Sequence, residues 1–283
     1  MRIALAGFGI TGTQVAEHIM EQAELALVSV VVSPRSAKIG LDIGEFIGRK
    51  PVGTSIVSSD ELAEAISRQR PQVLLDFSHP AFVNEHIETL AKAGVNLVIA
   101  TTGHSVAALE RIKYYTNKYH IGTVMAPNIT YGVNALIELC KHAAKLMGGY
   151  DFEIIESHHR HKKDSPSGTA KRIAESIVSN SRSHIDGTSD AVEIHSIRAG
   201  GIVGDHKVII CGSYDKIELR HESFSRKVFA QGALWAAEFI TKHRGFYSME
   251  DIFAYSLPGH QTSTCANCSS TIDLQSSSIP NYN

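Results

Sequence analysis

The stretch that decides the fold is Ile3-Ala4-Leu5-Ala6-Gly7-Phe8-Gly9-Ile10-Thr11-Gly12, close to the amino terminus. Its four apolar residues predict a short buried strand, and G-x-G-x-x-G follows at once. Val15, Ala16, Ile19 and Met20 then recur at helical spacing. In this context the glycines permit a tight turn, close approach of a pyrophosphate and close helix packing. The stretch predicts a dinucleotide site; a glycine-rich turn in another α/β fold is the alternative.

Cofactor choice depends on the residues after the second predicted strand, 27–32. NAD-binding enzymes usually carry an acidic residue there for the ribose 2′-hydroxyl, but this chain reads Ser33-Pro34-Arg35-Ser36-Ala37-Lys38. No carboxylate repels a 2′-phosphate, and a planar guanidinium suits that phosphate better than Lys38 does. The sequence therefore predicts that NADPH is used at least as well as NADH, with Ser33 and Arg35 in the cofactor site. The alternative is that Arg35 is a solvated loop residue.

Strands and helices alternate along the first half of the chain, which is typical of a parallel sheet. Helices are predicted at residues 61–66, 83–93 and 106–115, and strands at 73–77, 97–99 and 122–125. These strands end in Ser78-His79-Pro80, Ala100-Thr101-Thr102-Gly103 and Ala126-Pro127-Asn128. Ligands of doubly wound sheets lie beyond the carboxyl ends of the strands, so these endings are expected to line a nicotinamide pocket.

Beyond residue 128 the pattern becomes rich in strands. Predicted elements are helices at 133–147 and 226–243, strands at 152–157, 192–198, 207–211 and 216–220, and bends at Gly200-Gly201 and Gly204-Asp205. We predict a Rossmann-type doubly wound parallel sheet plus a second α+β domain with a mixed sheet. Residues 1–128 and 233–257 would form the dinucleotide-binding domain, and 129–232 a domain for substrate binding and oligomerisation. The polar residues 258–283 are predicted to be a disordered tail.

A second motif runs imidazole and ammonium groups into a predicted helix start: Glu156-Ser157-His158-His159-Arg160-His161-Lys162-Lys163-Asp164-Ser165-Pro166-Ser167-Gly168-Thr169-Ala170. Backbone N–H groups at Gly168 and Thr169 could bind a carboxylate, helped by the helix dipole. Lys162 can supply a countercharge, and an imidazole is the side chain best suited to pass a proton near neutral pH. The motif predicts a site for a small acidic substrate.

Other partners fit the sequence less well. Three clustered histidines could bind a metal, but the adjacent Arg160, Lys162 and Lys163 oppose a cation, so no metal site is predicted. A basic run could face nucleic acid, yet a net charge of −2 over 283 residues leaves no broad basic field. No apolar run approaches the ~20 residues of a membrane span, and Met1-Arg2 leads straight into a strand. We expect a cytosolic protein without nucleic-acid or membrane partners.

Two other classes of protein could share this plan: another nicotinamide enzyme, such as an aldehyde or semialdehyde dehydrogenase, and a non-catalytic nucleotide sensor. A dehydrogenase acting through a thioester needs a cysteine near the nicotinamide, but Cys140 and Cys211 fall in a predicted helix and strand as buried thiols. Cys265 and Cys268 form one isolated C-x-x-C motif, which we interpret as neither a zinc site nor a redox site. A non-catalytic nucleotide sensor has no use for a convergent His/Lys/amide site.

Taken together, the motifs resemble the 4-hydroxy-tetrahydrodipicolinate reductase (dihydrodipicolinate reductase) family over about residues 1–257. The resemblance is carried by Gly7-Phe8-Gly9-Ile10-Thr11-Gly12, Asp76-Phe77-Ser78, Ala100-Thr101-Thr102-Gly103, Ala126-Pro127-Asn128, Tyr131-Gly132-Val133-Asn134 and the stretch from Glu156 to Ala170. The pattern E-x-H-H-x-x-K-x-D-x-P-S-G-T is highly specific, whereas the glycine loop alone would fit many enzymes. The resemblance implies a homotetramer that makes tetrahydrodipicolinate with NADH or NADPH on the diaminopimelate route to lysine.

The resemblance also implies roles for single residues. His158 would be the acid/base group, and Lys162 the second proton donor or a carboxylate partner. His159 would hold the substrate together with the amides of Gly168 and Thr169. The glycine loop would bind pyrophosphate, and the nicotinamide would be surrounded by Ala100-Thr101-Thr102 and Ala126-Pro127-Asn128-Ile129. The chain departs from the family at Ser33, where many members have Glu, at Ala100, where Gly is common, and after residue 257; only the first departure changes cofactor preference.

Overall fold

A computed structural model describes residues 1–181 and 192–257 of the chain. Seven parallel strands form a sheet in the order β3-β2-β1-β4-β5-β6-β11. The strands are β1 (Arg2–Ala6), β2 (Ala26–Val32), β3 (Ile56–Ser58), β4 (Val73–Asp76), β5 (Asn96–Ile99), β6 (Gly122–Met125) and β11 (Gly245–Ser248). The order reverses between β1 and β4, which is the Rossmann switch point.

Helices cover both faces of this sheet. They are α1 (Ile10–Met20), α2 (Ile43–Phe46), α3 (Leu62–Gln69), α4 (Pro80–Lys92), α5 (Val106–Lys118) and α8 (Lys227–Lys242). Successive strand residues point to opposite faces, so Ile3 and Leu5 pack in one buried cluster with α1 and α8, whereas Ala4 and Ala6 belong to a second cluster with α3 to α5. Because both faces are covered, the strands are apolar throughout rather than alternating.

A second sheet of four strands has the order β10-β9-β7-β8. Its strands are β7 (Asp151–His158), β8 (Glu193–Arg198), β9 (Gly204–Cys211) and β10 (Lys216–Ser223). The pair β7–β8 is parallel and the other pairs are antiparallel, so the sheet is mixed. Helices α6 (Tyr131–Leu146) and α7 (Gly168–Val178) bury one face of it, around Ile154, Val208 and Ile210. The predicted fold class, a Rossmann-type sheet plus a mixed-sheet α+β part, is confirmed.

Several elements differ from the sequence prediction. The short elements α2, β3, β11 and a final helix α9 (Met249–Ser256) were not predicted. The bend predicted at Gly204-Asp205 is wrong, because Gly204 is the first residue of β9 and pairs with Ser223. A Cβ at Gly204 would lie 3.4 Å from Nε2 of His158. This glycine therefore serves the close approach of a side chain rather than a turn.

The division into domains stays a proposal. Helix α8 packs against the first sheet, as expected of a helix that returns the chain to it. The predicted tail at residues 258–283, with Cys265 and Cys268, lies outside the described residues. Cys140 is buried in α6, where burial raises its thiol pKa to about 12, and Cys211 is half-buried. Within residues 1–181 and 192–257, no helix is long and apolar enough to cross a membrane.

Candidate active site

The glycine loop after β1 has the shape needed to hold a pyrophosphate. Gly7 has φ +88°, and a Cβ there would collide with the carbonyl group of Phe77. A Cβ at Gly12 would collide with the carbonyl oxygen of Gly7. At Gly9, by contrast, a Cβ would meet open space. Gly9 is the N-cap residue of α1 and has no side chain to bind the first N–H groups of the helix. The first and third glycines thus allow close packing, and the second leaves the helix amino terminus open to an anion.

The residues that follow β2 lie beside this loop. Ser33 and Arg35 are exposed. Lys38 is instead drawn inward: its ammonium group donates a hydrogen bond to the carbonyl oxygen of Phe8 and lies 4.8 Å from the ring centroid of Phe46. Arg35 therefore has the freer of the two cationic side chains, and Lys38 supports the glycine loop.

A cavity of about 950 Å³ lies between the strand ends of the first sheet and the start of α7. Seven of the predicted site residues line it together: Thr102, Pro127, Asn128, His158, Lys162, Gly168 and Thr169. The other thirteen do not line it: the six residues from Gly7 to Gly12, Ser33 and Arg35, and also Ala100, Thr101, Ala126, Ile129 and His159. Among these, Thr101, Ala126 and Ile129 are buried and directly adjoin wall residues in the chain.

The start of α7 offers two uncommitted amides to this cavity. Ser167 caps the helix, since its hydroxyl accepts a hydrogen bond from the N–H of Ala170 at 3.2 Å. The N–H of Lys171 donates to the carbonyl oxygen of Ser167 at 3.1 Å. Within the described part of the chain, the N–H groups of Gly168 and Thr169 have no acceptor. Two free amides at a helix amino terminus form a carboxylate site.

Asn128 and Thr169 join the two sides of the cavity. The hydroxyl of Thr169 donates to Oδ1 of Asn128 at 2.7 Å. The backbone of Asn128 is held in turn by the amide of Asn134, which donates to the carbonyl oxygens of Asn128 and Thr130, both at 2.8 Å. The end of β6 and the start of α7 are thereby fixed relative to each other.

His158 ends β7 and is nearly buried, with 11% of its side chain exposed. Its Nδ1 lies 2.5 Å from Oε2 of Glu156, two residues earlier on the same face of the strand. Burial lowers the pKa of His158 below its ordinary value, and the carboxylate of Glu156 opposes this shift. The ring of His206 meets that of His158 edge to face, with centroids 5.1 Å apart.

Glu156 is fully buried and pairs with the guanidinium of Arg198. Its oxygens accept two hydrogen bonds from the guanidinium of Arg198, at 2.6 and 3.0 Å, and one from the N–H of Ser167 at 3.2 Å. Burial raises the pKa of this carboxyl, but side-chain hydrogen bonds, the largest contribution being that of Arg198, outweigh burial and lower the pKa to about 2. A bidentate guanidinium is the partner that best compensates a buried carboxylate.

Lys162 is paired within its own loop. Its Nζ lies 2.9 Å from Oδ1 of Asp164, which is largely exposed. The rings of His159 and His161 are 6.4 Å apart, so these two histidines do not converge. Glu156, His158 and His206 do bring possible metal-ligand atoms within 4.8 Å of one another. Because Arg198 and His158 already occupy the carboxylate of Glu156, the expectation of no metal site stays our prediction.

The carboxyl-terminal elements of the described chain also line the cavity, which the sequence analysis did not predict. Phe246 and Ser248 of β11 and Met249 and Glu250 of α9 form part of the wall. The carboxylate of Glu250 forms ion pairs with Lys141 of α6 at 2.9 Å and Arg172 of α7 at 2.6 Å. A clear signal was present only in the capping box of α9, formed by Ser248 and Asp251.

A Rossmann sheet whose strand ends share one cavity with an imidazole, a lysine and free helix amides defines a pyridine-nucleotide-dependent oxidoreductase of a small substrate. Two family models match the chain: "Dihydrodipicolinate reductase, N-terminus" over residues 1–129 and "Dihydrodipicolinate reductase, C-terminus" over residues 132–253. The chain belongs to the dihydrodipicolinate reductase family. The resemblance found in the sequence is confirmed.

Named relatives agree with this assignment. The 4-hydroxy-tetrahydrodipicolinate reductase of Methanothermobacter thermautotrophicus is 35% identical over 254 residues, which cover 85% of this chain and 93% of the relative. That of Methanocaldococcus jannaschii is 36% identical over 265 residues, covering 89% and 97%. Among solved structures, a dipicolinate-bound dihydrodipicolinate reductase from a Paenisporosarcina species has a TM-score of 0.73 and 26% identity. The match covers 89% of this chain and 99% of that one.

Proposed function

We propose that the chain reduces 4-hydroxy-tetrahydrodipicolinate, or its dehydrated form dihydrodipicolinate, to tetrahydrodipicolinate, the reductive step on the diaminopimelate route to lysine. The observation that carries this proposal is the single cavity shared by Thr102 and Asn128 with His158, Lys162 and the start of α7. Family membership and the names of the relatives support the same reaction. The dipicolinate bound by the Paenisporosarcina enzyme is a planar ring diacid, like the proposed substrate.

The substrate would be held as a dicarboxylate. One carboxylate would accept hydrogen bonds from the free N–H groups of Gly168 and Thr169, where the helix dipole adds partial positive charge. Lys162 would supply a full countercharge, which requires the substrate to displace Asp164 from its ammonium group. His159 would contribute from outside the cavity, after a movement of its loop. These contacts orient the unsaturated carbon of the ring toward the wall formed by Thr102 and Asn128.

The cofactor would bind along the carboxyl edge of the first sheet. Gly7-Phe8-Gly9-Ile10-Thr11-Gly12 would hold the pyrophosphate, and Thr102, Pro127 and Asn128 would contact the nicotinamide. Ala100, Thr101, Ala126 and Ile129 would support that wall from below. A reduced nicotinamide, when bound, supplies a hydride to the unsaturated carbon. We further propose that NADPH serves at least as well as NADH, since Ser33 and the exposed Arg35 carry no negative charge.

His158 or Lys162 would deliver the proton that completes the reduction. The electron pair displaced through the conjugated ring must be met by a proton, and both groups line the cavity. Such general acid catalysis contributes about 10²- to 10⁴-fold in rate. The positions of the two side chains leave both assignments open.

We also propose that the enzyme is a cytosolic homotetramer. The face of the second sheet turned away from α6 and α7 carries Ile155, Ile197 and Ile209. Ile197 is 46% exposed. Charged side chains such as Lys207, Glu218 and Arg220 share this face, so an interface here would combine the isoleucines with ion pairs between copies. Light scattering should show a tetramer for the wild type and a smaller species for Ile209→Asp. If both proteins have the same mass, below that of a tetramer, the proposed assembly is contradicted.

The function is tested by following the oxidation of NADPH after a dihydrodipicolinate-forming condensation mixture is added. We expect oxidation with this mixture and none with simple aldehydes, which separates the proposed reductase from an aldehyde dehydrogenase and from a sensor. His158→Ala and Lys162→Ala should each lower kcat at least tenfold while NADPH still binds. Lys92→Ala, on the far helix α4, serves as the matched control and should leave kcat unchanged. Near-normal turnover in both site variants would refute the site.

A further inference from the structure

We propose that Glu156 and Arg198 are positioning residues. Arg198 holds the carboxylate of Glu156 in place, and this carboxylate fixes both the tautomer of His158 and the start of α7. Neither residue lines the cavity. Both act through groups that do. The inference deepens the proposed function and rests on it.

The tautomer of His158 follows from its contact with Glu156. An ionised carboxylate can only accept hydrogen bonds, and Oε2 of Glu156 lies 2.5 Å from Nδ1 of His158. Nδ1 must therefore carry the proton in the neutral ring. Nε2 is left as the nitrogen that gains or loses a proton, as in sites where a buried carboxylate orients a catalytic imidazole. Because Gly204 has no Cβ, the space beside Nε2 stays open.

Arg198 is what keeps the carboxylate ionised. Glu156 is wholly buried, and a buried carboxylate without compensation would take up a proton and could then donate to His158 instead. The two nitrogens of the Arg198 guanidinium bind the two oxygens of Glu156 at 2.6 and 3.0 Å. This fork also fixes the plane of the carboxylate and hence the direction of Oε2 toward His158.

The same carboxylate organises the substrate side of the site. Its Oε1 accepts the N–H of Ser167, the residue that caps α7 immediately before the two free amides. Arg198 additionally donates to the carbonyl oxygen of Asp164 at 2.7 Å. One ion pair thus holds both ends of the loop from His158 to Ser167. His158 and the free amides of α7 are set relative to each other by a single buried ion pair.

Other charged or titratable groups near His158 come from three elements. Lys162 follows on its own loop, Arg198 comes from β8, and His206 comes from β9. Burial holds the pKa of His206 at about 3, so its ring is neutral at working pH. Lys162 and Arg198 lower the pKa of His158, and Glu156 is the group that raises it. Loss of the Glu156 charge should therefore move the titration of His158 to lower pH.

The test uses Glu156→Gln in the full-length enzyme. The guanidinium of Arg198 will bind the amide oxygen of the new side chain, which turns its NH₂ group toward His158. Nδ1 must then become an acceptor, so the neutral ring should switch to the Nε2–H tautomer. We expect imidazole ¹⁵N NMR to show Nδ1–H in the wild type and Nε2–H in the variant. We also expect kcat to fall at least ~10²-fold, with the His158 limb of the pH profile at lower pH and NADPH affinity unchanged.

Glu153→Gln provides the matched control. Glu153 lies on the same strand and also contacts a histidine, His195 at 2.7 Å, but this pair is exposed and outside the cavity. Its kcat and the His158 tautomer should match those of the wild type. Arg198→Met should reproduce the loss of kcat, because Glu156 loses its countercharge.

Each outcome bears on the proposal. An Nε2–H tautomer of His158 in the wild type overturns the proposal without any variant. The proposal therefore stays testable even if Glu156→Gln does not fold. A Glu156→Gln variant that keeps Nδ1–H, or that keeps wild-type kcat, also overturns it. If the wild type does not reduce the substrate at all, the proposed function fails, whereas the NMR spectra still decide the tautomer separately.

Discussion

The hydroxyl of Thr169 donates a hydrogen bond to Oδ1 of Asn128 at 2.7 Å. Asn128 follows β6 of the first sheet, and Thr169 is the second residue of α7, which covers the other sheet. The bond therefore joins the wall proposed for the nicotinamide to the amides proposed for the substrate. In the proposed complex it would fix the distance between the two reacting molecules, on which hydride transfer depends steeply.

Removal of this bond should harm the chemical step more than cofactor binding. In Thr169→Val the side chain keeps its shape but cannot donate, and a bond of this kind contributes about 1 kcal/mol. We expect kcat/KM for the substrate to fall roughly 5- to 10-fold, while the Kd of NADPH changes less than about twofold. The control is Thr241→Val, whose hydroxyl bonds only within its own helix. Unchanged kcat/KM in Thr169→Val would show that the contact has no part in alignment.

Two glycines of the loop, Gly9 and Gly12, should respond differently to an added methyl group. Gly9 has φ −82° and faces open space, so Gly9→Ala should fold normally. Its methyl would occupy the approach of the pyrophosphate, and we expect the Kd of NADPH to rise at least ~10-fold. Gly12→Ala should lower the thermal midpoint as well, because overpacking costs about 1–3 kcal/mol. Calorimetry with fluorescence titration measures both effects; tight NADPH binding by Gly9→Ala would contradict the loop assignment.

Arg35 should control the choice between the two cofactors. Hydrogen bonds to charged groups contribute about 1.5–3 kcal/mol, so Arg35→Ala should raise the KM for NADPH roughly tenfold or more and leave that for NADH nearly unchanged. Arg111→Ala, on the exposed face of α5, is the control and should change neither constant. If the ratio of the two KM values is the same in Arg35→Ala and the wild type, Arg35 is a solvated loop residue.

His206 should make the protein sensitive to acid. Burial, helped by the neighbouring His158, lowers its pKa from 6.5 to about 3 in the folded state. The unfolded chain binds the proton near pH 6.5, so the stabilising contribution is complete above that pH and is lost as the pH falls toward 3. Between pH 6.5 and 4.5, His206→Asn should therefore flatten the pH dependence of the unfolding free energy, by up to ~1.4 kcal/mol per pH unit.

Urea unfolding at several pH values measures this slope. His142→Asn is the control, because His142 is exposed on α6 and should keep the wild-type slope. Equal slopes in His206→Asn and the wild type would show that His206 is not held neutral.

The fold could be predicted because its signals are local. The glycine loop stands between a strand and a helix, and each has its own hydrophobic period, so a few consecutive residues define the turn. The motif from Glu156 to Ala170 is local in the same way, since strand end, loop and helix start are adjacent in sequence. The short elements β3 and β11 escaped prediction because each contains only two adjacent apolar residues, whereas the similarly short β4 and β5 each contain a run of three.

The parts of the site that sequence reasoning missed depend on distant contacts. Arg198 lies 42 residues from Glu156 and reaches it only because β8 pairs with β7. Glu250 reaches Arg172 across 78 residues through the packing of α9 against α6. The Glu156–His158 pair had a usable signal, because residues two apart in a strand share a face. The importance of Glu156 becomes clear only when its burial and its partner Arg198 are known.

The central claim is that a ring dicarboxylate binds between residues 158 and 169, facing the nicotinamide wall. A crystal structure with NADPH and pyridine-2,6-dicarboxylate tests it most directly. We predict the inhibitor's carboxylates on the N–H groups of Gly168 and Thr169 and near Lys162, with the nicotinamide against Asn128. Inhibitor density at any other place, with this cavity empty, would contradict the account.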